Sequence, residues 1–281
     1  MLRQWLQAEL KPIQSAHEAI WIGEYLENQS SSLVEQRKIG RELLERRFRG
    51  EPLAYIFGEW EFLDHSFKLG PGVLIPRPET EELVLLVVEE LYQKYKHKNQ
   101  ITIADFGAGS GCLGLSVAAA LLQKLPKIDL KLQLIESSKK ACFYLKKNSD
   151  RFVAEGLLAA KNICFFAKDW SFFDQKIDVL LSNPPYLSQT EYGGLDRSVK
   201  NFEPREALFF ERDNGDGLES YRELLRLASK LLKLDGRLYF ELGFEQAQAV
   251  ENILKDNLNL VLAWTRKDLC QKQRFLSAYR K

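Results

Sequence analysis

The chain reads as an α/β protein: a seven-stranded, mostly parallel β-sheet with helices on both faces, preceded by a small helical domain and a β-hairpin linker. Two observations predict it. Short apolar, β-branched runs alternate with helix-patterned stretches from residue 101 to 255, and such alternation requires a parallel sheet with crossover helices. Two further runs, near 258–264 and 273–279, then close the chain with no helix between them.

The composition sets the broad class. With 281 residues, 45% apolar and 28% charged, the chain has enough material for a large core and an accessory domain. Forty basic against 39 acidic side chains leave a net charge of +1, so no strong overall field gathers nucleic acid. No direct nucleic-acid partner is expected. No apolar run reaches the length of a membrane span and no signal-peptide pattern opens the sequence, so a cytoplasmic protein without membrane contact is expected, and a monomer. Cys112, Cys142, Cys164 and Cys270 lack C-x-x-C spacing, and His17, His65 and His97 stand apart. No metal site or disulfide framework is expected.

Residues 1–48 are helix-patterned, with Ile39, Leu43 and Leu44 at helical spacing and Gly50 as the stop; this defines a domain over 1–50. Arg37, Lys38, Arg41, Arg46, Arg47 and Arg49 form a basic stretch that Glu35, Glu42 and Glu45 balance as a solvated face. Its alternative role is docking a partner. Residues 53–74 change to short alternating runs with turn signals at Gly58, Asp64-His65 and Gly70-Pro71-Gly72, which predicts a β-hairpin linker over 51–75. Pro76-Arg77-Pro78-Glu79-Thr80 opens a helix and the third region, 76–281, with Glu79, Glu81 and Glu82 suited to its positive end. Arg77 and Glu79 fit either a clamp between linker and sheet or the rim of a substrate site, the clamp being favoured because a Pro-Arg-Pro frame is rigid.

The alternating region divides into strand 101–105, helix 112–123, strand 130–135, helix 138–148, and strands 162–166 and 177–182. After them come helix 218–233, strand 236–241 and helix 245–255. Open α/β sheets keep their chemistry at the carboxyl ends of their strands, and three strand ends here carry suitable residues. After the first stands Gly107-Ala108-Gly109-Ser110-Gly111, whose glycines permit a sharp bend and the close approach of a ligand. Its G-x-G-x-G spacing departs from the dinucleotide fingerprint, because Cys112 occupies the place of the last glycine. At the end of the second, Glu136 is placed to accept hydrogen bonds from a ribose diol. After the fourth stands Asn183-Pro184-Pro185-Tyr186. Two prolines stop the strand and stiffen the turn, leaving a carboxamide and free carbonyls on a rigid rim beside an aromatic face. Such a rim suits a planar, uncharged NH2 group. Residues 183–215 form one long connection whose Tyr192, Phe202, Arg205 and Phe209 argue for an ordered lid.

Together the loop, the acid and Asn183-Pro184-Pro185-Tyr186 resemble the class I, Rossmann-like S-adenosylmethionine-dependent methyltransferases. The tetrapeptide resembles the subset that methylates planar amino or amide nitrogens. Gly50-Glu51-Pro52-Leu53-Ala54-Tyr55-Ile56-Phe57-Gly58 and Leu74-Ile75-Pro76-Arg77-Pro78-Glu79-Thr80-Glu81 narrow the resemblance to the HemK/PrmC family of N5-glutamine methyltransferases. Asn201-Phe202-Glu203-Pro204, Asp216-Gly217-Leu218, Glu241-Leu242-Gly243 with Gln246, and Lys267-Asp268-Leu269 before Arg274 extend it over most of the chain from Gly50. The stretch 208–213 and Cys270-Gln271 depart from the family pattern at places expected to lie apart from the catalytic positions.

The resemblance implies an antiparallel edge hairpin at the end of the sheet, S-adenosyl-L-methionine as cofactor, S-adenosyl-L-homocysteine as product, and the GGQ glutamine of class I peptide chain release factors as acceptor. It implies that Asp105 anchors the loop, that Gly107, Ala108, Gly109, Ser110 and Gly111 line the methionine and ribose side, that Glu136 takes the ribose diol, and that Asp169 and Trp170 flank the adenine. Asn183, Pro184, Pro185 and Tyr186 would bind the acceptor amide. Asn183, Pro184 and Tyr186 would be the catalytic set, with Asn183 also beside the cofactor. Alternatives are a ribosomal-protein glutamine methyltransferase, which carries a Pro-Arg-Ser-Pro type segment where this chain has Pro76-Arg77-Pro78-Glu79, an N6-adenine methyltransferase acting on a flipped base, and a binding module that has lost catalysis.

Overall fold

The computed structural model describes residues 2–9 and 16–281; Met1 and residues 10–15 of the expected helical region lie outside the described residues. At the N-terminus α1 (Leu2–Glu9), α2 (Ala16–Gln29) and α3 (Leu33–Phe48) bury Leu6, Ile22, Leu26, Leu43 and Leu44 in a core of their own. Helix α3 stops where Gly50 takes a φ of 88°. The basic stretch divides in two. Arg46 pairs with Glu51 and Arg47 with Glu18, whereas Arg37, Lys38, Arg41 and Arg49 are exposed without an ion pair among the described residues.

The linker differs from expectation at its start. Residues 53–57 form a short helix, α4 (Leu53–Phe57), instead of an alternating run. Leu53, Ala54, Tyr55 and Ile56 are all buried, some in the N-terminal core and some against Leu69 and Val73, and a turn of helix can bury consecutive residues on several sides where a strand has only two faces. Gly58, at a φ of 75°, ends the turn. Then β1 (Glu59–Phe62) and β2 (His65–Lys68) pair antiparallel, Glu59 opposite Lys68.

From Pro78 the alternating region unfolds in order: α5 (Pro78–Tyr95), β3 (Gln100–Phe106), α6 (Cys112–Lys124), β4 (Asp129–Glu136), α7 (Lys139–Ala154), β5 (Ile163–Ala167) and β6 (Ile177–Ser182). Three short helices, α8 (Gln189–Gly193), α9 (Arg197–Phe202) and α10 (Arg205–Leu208), give the long connection an ordered course. The chain ends with α11 (Glu219–Leu231), β7 (Leu232–Glu241), α12 (Ala247–Lys255), β8 (Leu260–Lys267) and β9 (Gln273–Arg280). The strands lie in the order β5-β4-β3-β6-β7-β9-β8. The first five are parallel, and β9 runs antiparallel between β7 and β8. The apolar faces of α5, α6 and α7 cover one side of the sheet, and those of α11 and α12 cover the other.

The order reverses beside β3, where the chain leaves outward through β4 and β5 and returns at β6. That switch leaves a crevice above the carboxyl ends of β3, β4 and β6. Ser182 Oγ closes the floor by donating to the Phe106 carbonyl across the two strands, at 2.7 Å. Helix α7 runs beyond the expected residue 148 to Ala154, burying Phe152, and it also carries Asn148. Its buried carboxamide donates to the Ser110 and Lys68 carbonyls and accepts from Lys68 N–H, tying the glycine loop to the hairpin through one side chain.

Candidate active site

One cavity occupies the crevice. Its walls come from the glycine loop, from Glu136, Ser137 and Ser138 after β4, from Lys168, Asp169 and Trp170 after β5, and from Asn183 and Pro185 after β6. Gly72, Val73, Leu74, Pro76, Arg77 and Thr80 add a wall from the linker and the start of α5. Pro204, Glu206, Ala207 and Phe210 add another from the connection after β6.

The glycine loop is held open by its backbone. Gly107, Gly109 and Gly111 adopt φ values of 74°, 57° and 85°, a region that side chains rarely tolerate. A Cβ on Gly111 would also come within 2.7 Å of Leu145 and 2.8 Å of Leu115. Gly107 and Ala108 donate to the Ile135 carbonyl, and Gly109 donates to Glu136 Oε2 at 2.8 Å. Glu136 Oε1 accepts from Ser138 N–H at 2.8 Å. Burial raises the Glu136 carboxyl above its ordinary range, and these N–H groups only partly oppose it.

Asp105 also lines the cavity, but its carboxylate is aimed at α6, accepting from Gly114 N–H at 2.9 Å. It thus fixes the helix that follows the loop. Burial pushes its pKa up to about 7 against that hydrogen bond. At the same helix start, burial pushes the Cys112 thiol up to about 12, against hydrogen bonding with Ser110 and Leu113.

Asp169 and Trp170 stand side by side on the adenine end of the expected site. Burial disfavours the Asp169 charge, but Ser171 and Arg212 outweigh burial and hold the carboxyl below its usual range. Trp170 is 8% exposed and belongs to the core as well as the cavity wall, stacking on Phe210 with centroids 5.6 Å apart and donating to Glu223 at 3.0 Å. Phe210 and Arg212 therefore make the divergent 208–213 stretch part of this end of the site.

The four residues after β6 separate. Asn183 and Pro185 line the cavity, whereas Pro184 is buried and neither it nor Tyr186 contributes to the lining. This differs from the expectation of an open aromatic face. Tyr186 lies against Gly243, where a Cβ would come within 2.9 Å of its Cδ2, and burial pushes its phenol up to about 12. The corner is braced from behind: Ser220 Oγ donates to the Pro185 carbonyl at 2.7 Å, and Gln246 Nε2 to the Tyr186 carbonyl at 2.8 Å. Gly217 passes so close that a Cβ there would stand 2.4 Å from the Tyr186 carbonyl oxygen. These contacts give Asp216-Gly217-Leu218 and Glu241-Leu242-Gly243 with Gln246 a physical reason: they support the Asn183 corner. The Asn183 Oδ1 and the Pro184 carbonyl are engaged by no protein donor among the described residues.

Two further side chains complete the site, and neither was assigned a role by sequence reasoning. Thr80 Oγ1 donates to Glu241 Oε2 at 2.6 Å and accepts from Asn183 Nδ2 at 3.3 Å. Burial pushes the Glu241 carboxyl up to about 7, partly opposed by Thr80 and Arg274. The available signal was their place in the quoted motifs, Thr80 after Pro78-Glu79 and Glu241 before Leu242-Gly243. Arg77, on the rim, pairs with Glu203 at 2.7 Å and so acts as a clamp, while Glu79 makes no hydrogen bond or ion pair among the described residues.

A family model described as the methyltransferase small domain matches residues 85–196. A release factor glutamine methyltransferase of Thermodesulfovibrio yellowstonii is 38% identical over 232 residues, covering 81% of this chain and 76% of that protein. The chain belongs to the release factor glutamine methyltransferase family. Another member, from Fusobacterium nucleatum, is 37% identical over 230 residues, 82% of this chain, but the chain spans only 60% of that relative's length. Among solved structures, a Listeria monocytogenes protein assigned as a class I S-adenosylmethionine-dependent methyltransferase matches with a TM-score of 0.51 at 15% identity, covering 99% of this chain and 84% of that one. That likeness concerns the fold, and it agrees with the seven-stranded sheet. Among the described residues no helix is long and apolar enough to cross a membrane.

Proposed function

We propose that this protein transfers a methyl group from S-adenosyl-L-methionine to the side-chain amide nitrogen, N5, of the glutamine in the GGQ motif of class I peptide chain release factors. The nitrogen gains the methyl and gives up one N–H proton, and S-adenosyl-L-homocysteine leaves. The observation that carries the reading is that Asn183 borders the same cavity as the glycine loop and Glu136, with its Oδ1 uncommitted. The relatives' names supply the acceptor class.

The donor brings an electrophilic methyl group on a sulfonium. The chain's residues fit its other parts: Glu136 offers a half-buried carboxylate to a diol, Gly107 and Gly109 leave no Cβ in the way, and Trp170 offers a flat apolar wall to a purine. An amide nitrogen is a poor nucleophile, so orientation is the main contribution required of the protein. Asn183 Oδ1, on the cavity wall, accepts one N–H of the glutamine and aims the nitrogen at the methyl. Orientation of this kind is worth roughly 7 to 11 kcal/mol in favourable cases, so no strong general base is needed. Tyr186 acts mainly by holding the corner from the Gly243 side. The wall formed by Pro204, Glu206 and Ala207 covers the acceptor, and the N-terminal helices, with Arg37, Lys38, Arg41 and Arg49 exposed, dock the protein substrate.

The test is mass spectrometry of a class I release factor incubated with the enzyme and isotopically labelled S-adenosylmethionine. A label on the GGQ glutamine, formed far more slowly but still measurably with Asn183→Ala while calorimetric cofactor affinity persists, is the expected result. An unlabelled release factor, or an Asn183→Ala variant at the wild-type rate, overturns the assignment.

A further inference from the structure

The Asn183 carboxamide can do its work in only one of its two orientations. Its oxygen must face the cavity, because only an acceptor can hold an N–H of the glutamine. An isolated carboxamide has no such preference, since exchanging O and NH2 leaves its shape nearly unchanged. The contacts behind Asn183 break that symmetry.

Thr80 stands in the first turn of α5, Asn183 just past β6 and Glu241 at the end of β7. Thr80 is 2% exposed and Glu241 1%, so water does not compete for their hydrogen bonds. A hydroxyl has one proton to give, and Glu241, ionised above about pH 7, can then only accept it; below that pH a protonated Glu241 can donate in return and the direction is lost. With the Thr80 proton committed to Glu241 Oε2 at 2.6 Å, the Thr80 oxygen has only lone pairs left for Asn183. Asn183 must then turn its NH2 end toward Thr80, which is the arrangement found at 3.3 Å, and Oδ1 turns to the cavity.

We infer that Thr80 and Glu241 are positioning residues that set the direction of the Asn183 carboxamide, a one-way hydrogen-bond relay from Asn183 through Thr80 to Glu241. Both act through Asn183: Glu241 lies outside the cavity lining, and Thr80 borders the cavity but is only 2% exposed. This inference rests on the reading of Asn183 as the amide-binding residue.

The relay is tested on the full chain with labelled S-adenosylmethionine and a class I release factor. Thr80→Val keeps the shape of the side chain but removes its donor and acceptor. It is expected to lower kcat roughly 100-fold, the scale of a misplaced reacting group. KM for the release factor and Kd for the cofactor are expected to stay within about twofold of wild type, because ground-state binding is largely untouched. Thr80→Ser, which restores the hydroxyl, is expected to recover most of the rate. In the Asn183→Ala background, Thr80→Val is expected to cost nothing further, because the target of the relay is gone. Should Thr80→Val melt early or lose cofactor binding, Glu241→Gln carries the same test. A carboxamide can offer Thr80 either end, so kcat is expected to fall about 10-fold, again only when Asn183 is present.

Wild-type kcat in Thr80→Val, or the same loss with and without Asn183, overturns the relay. A wild-type enzyme that leaves the release factor unmethylated overturns the underlying reading instead. A much slowed Asn183→Ala beside a fully active Thr80→Val overturns the relay alone.

Discussion

The guanidinium of Arg77 lies 2.7 Å from the carboxylate of Glu203, a partner 126 positions along the chain. The second oxygen of Glu203 accepts from Ile75 N–H at 3.2 Å. One buried acid thus joins the end of the linker to the segment that walls the cavity.

Removing Arg77 leaves that carboxylate, 2% exposed, with a single backbone donor. Breaking a buried pair from one side costs about 3 kcal/mol. Arg77→Ala is therefore expected to lower the melting temperature by roughly 6 to 12 °C in a chain of this size. Glu203→Gln, which keeps an acceptor for Ile75, is expected to lower it less. Calorimetric melting that ranks the two variants the other way removes the clamp.

Gly217 combines a φ of 74° with a close approach to the Tyr186 carbonyl. Gly217→Ala is expected to displace the Asn183 corner and to lower kcat at least about 10-fold, since small misplacements of aligned groups are costly. A variant with unchanged turnover shows that the corner is not held from behind in this way.

Glu136 is expected to bind the cofactor's diol and already holds Gly109 N–H and Ser138 N–H. Glu136→Ala removes a half-buried, charged acceptor worth about 1.5 to 3 kcal/mol, so the cofactor Kd is expected to rise roughly 10- to 150-fold. Glu136→Gln keeps one acceptor for the loop and is expected to fall between. Calorimetric titration that finds unchanged affinity in both variants takes Glu136 out of the site.

Asp105 and Glu241 bear on stability through pH. Burial lifts Asp105 from 3.8 to about 7 and Glu241 from 4.5 to about 7, so on folding each acid takes up a proton within that window. The unfolded chain binds fewer protons there, and the contribution of these two groups to stability falls as pH rises from about 4 to about 7. The ligand-free protein is expected to melt lower at about pH 8 than at about pH 5, and Asp105→Asn to show a smaller drop. An equal drop in the variant assigns the effect to other groups.

The parallel strands, the glycine turn and the paired closing runs were legible in the sequence because they are local. Near-continuous apolar runs such as 130–135 and 177–182 mark strands covered on both faces, and no partner is needed to read them. Leu53-Ala54-Tyr55-Ile56 was misread as part of an alternating run, because four consecutive apolar residues fit a buried turn of helix as well as a strand. The short helices between 189 and 208 are set by caps such as Ser188 and Asp196 more than by periodicity, so the same stretch read as one connection.

The site divides the same way. Gly107, Glu136 and Asn183 stand at strand ends, and strand ends are visible in one dimension. Which way Asn183 faces is not, because it depends on a hydroxyl 103 positions away and a carboxylate 161 positions from that hydroxyl. Hydrogen bonds act over about 3 Å, and only the parallel register of β6 with β7, and the packing of α5 against the sheet, bring those three groups within reach.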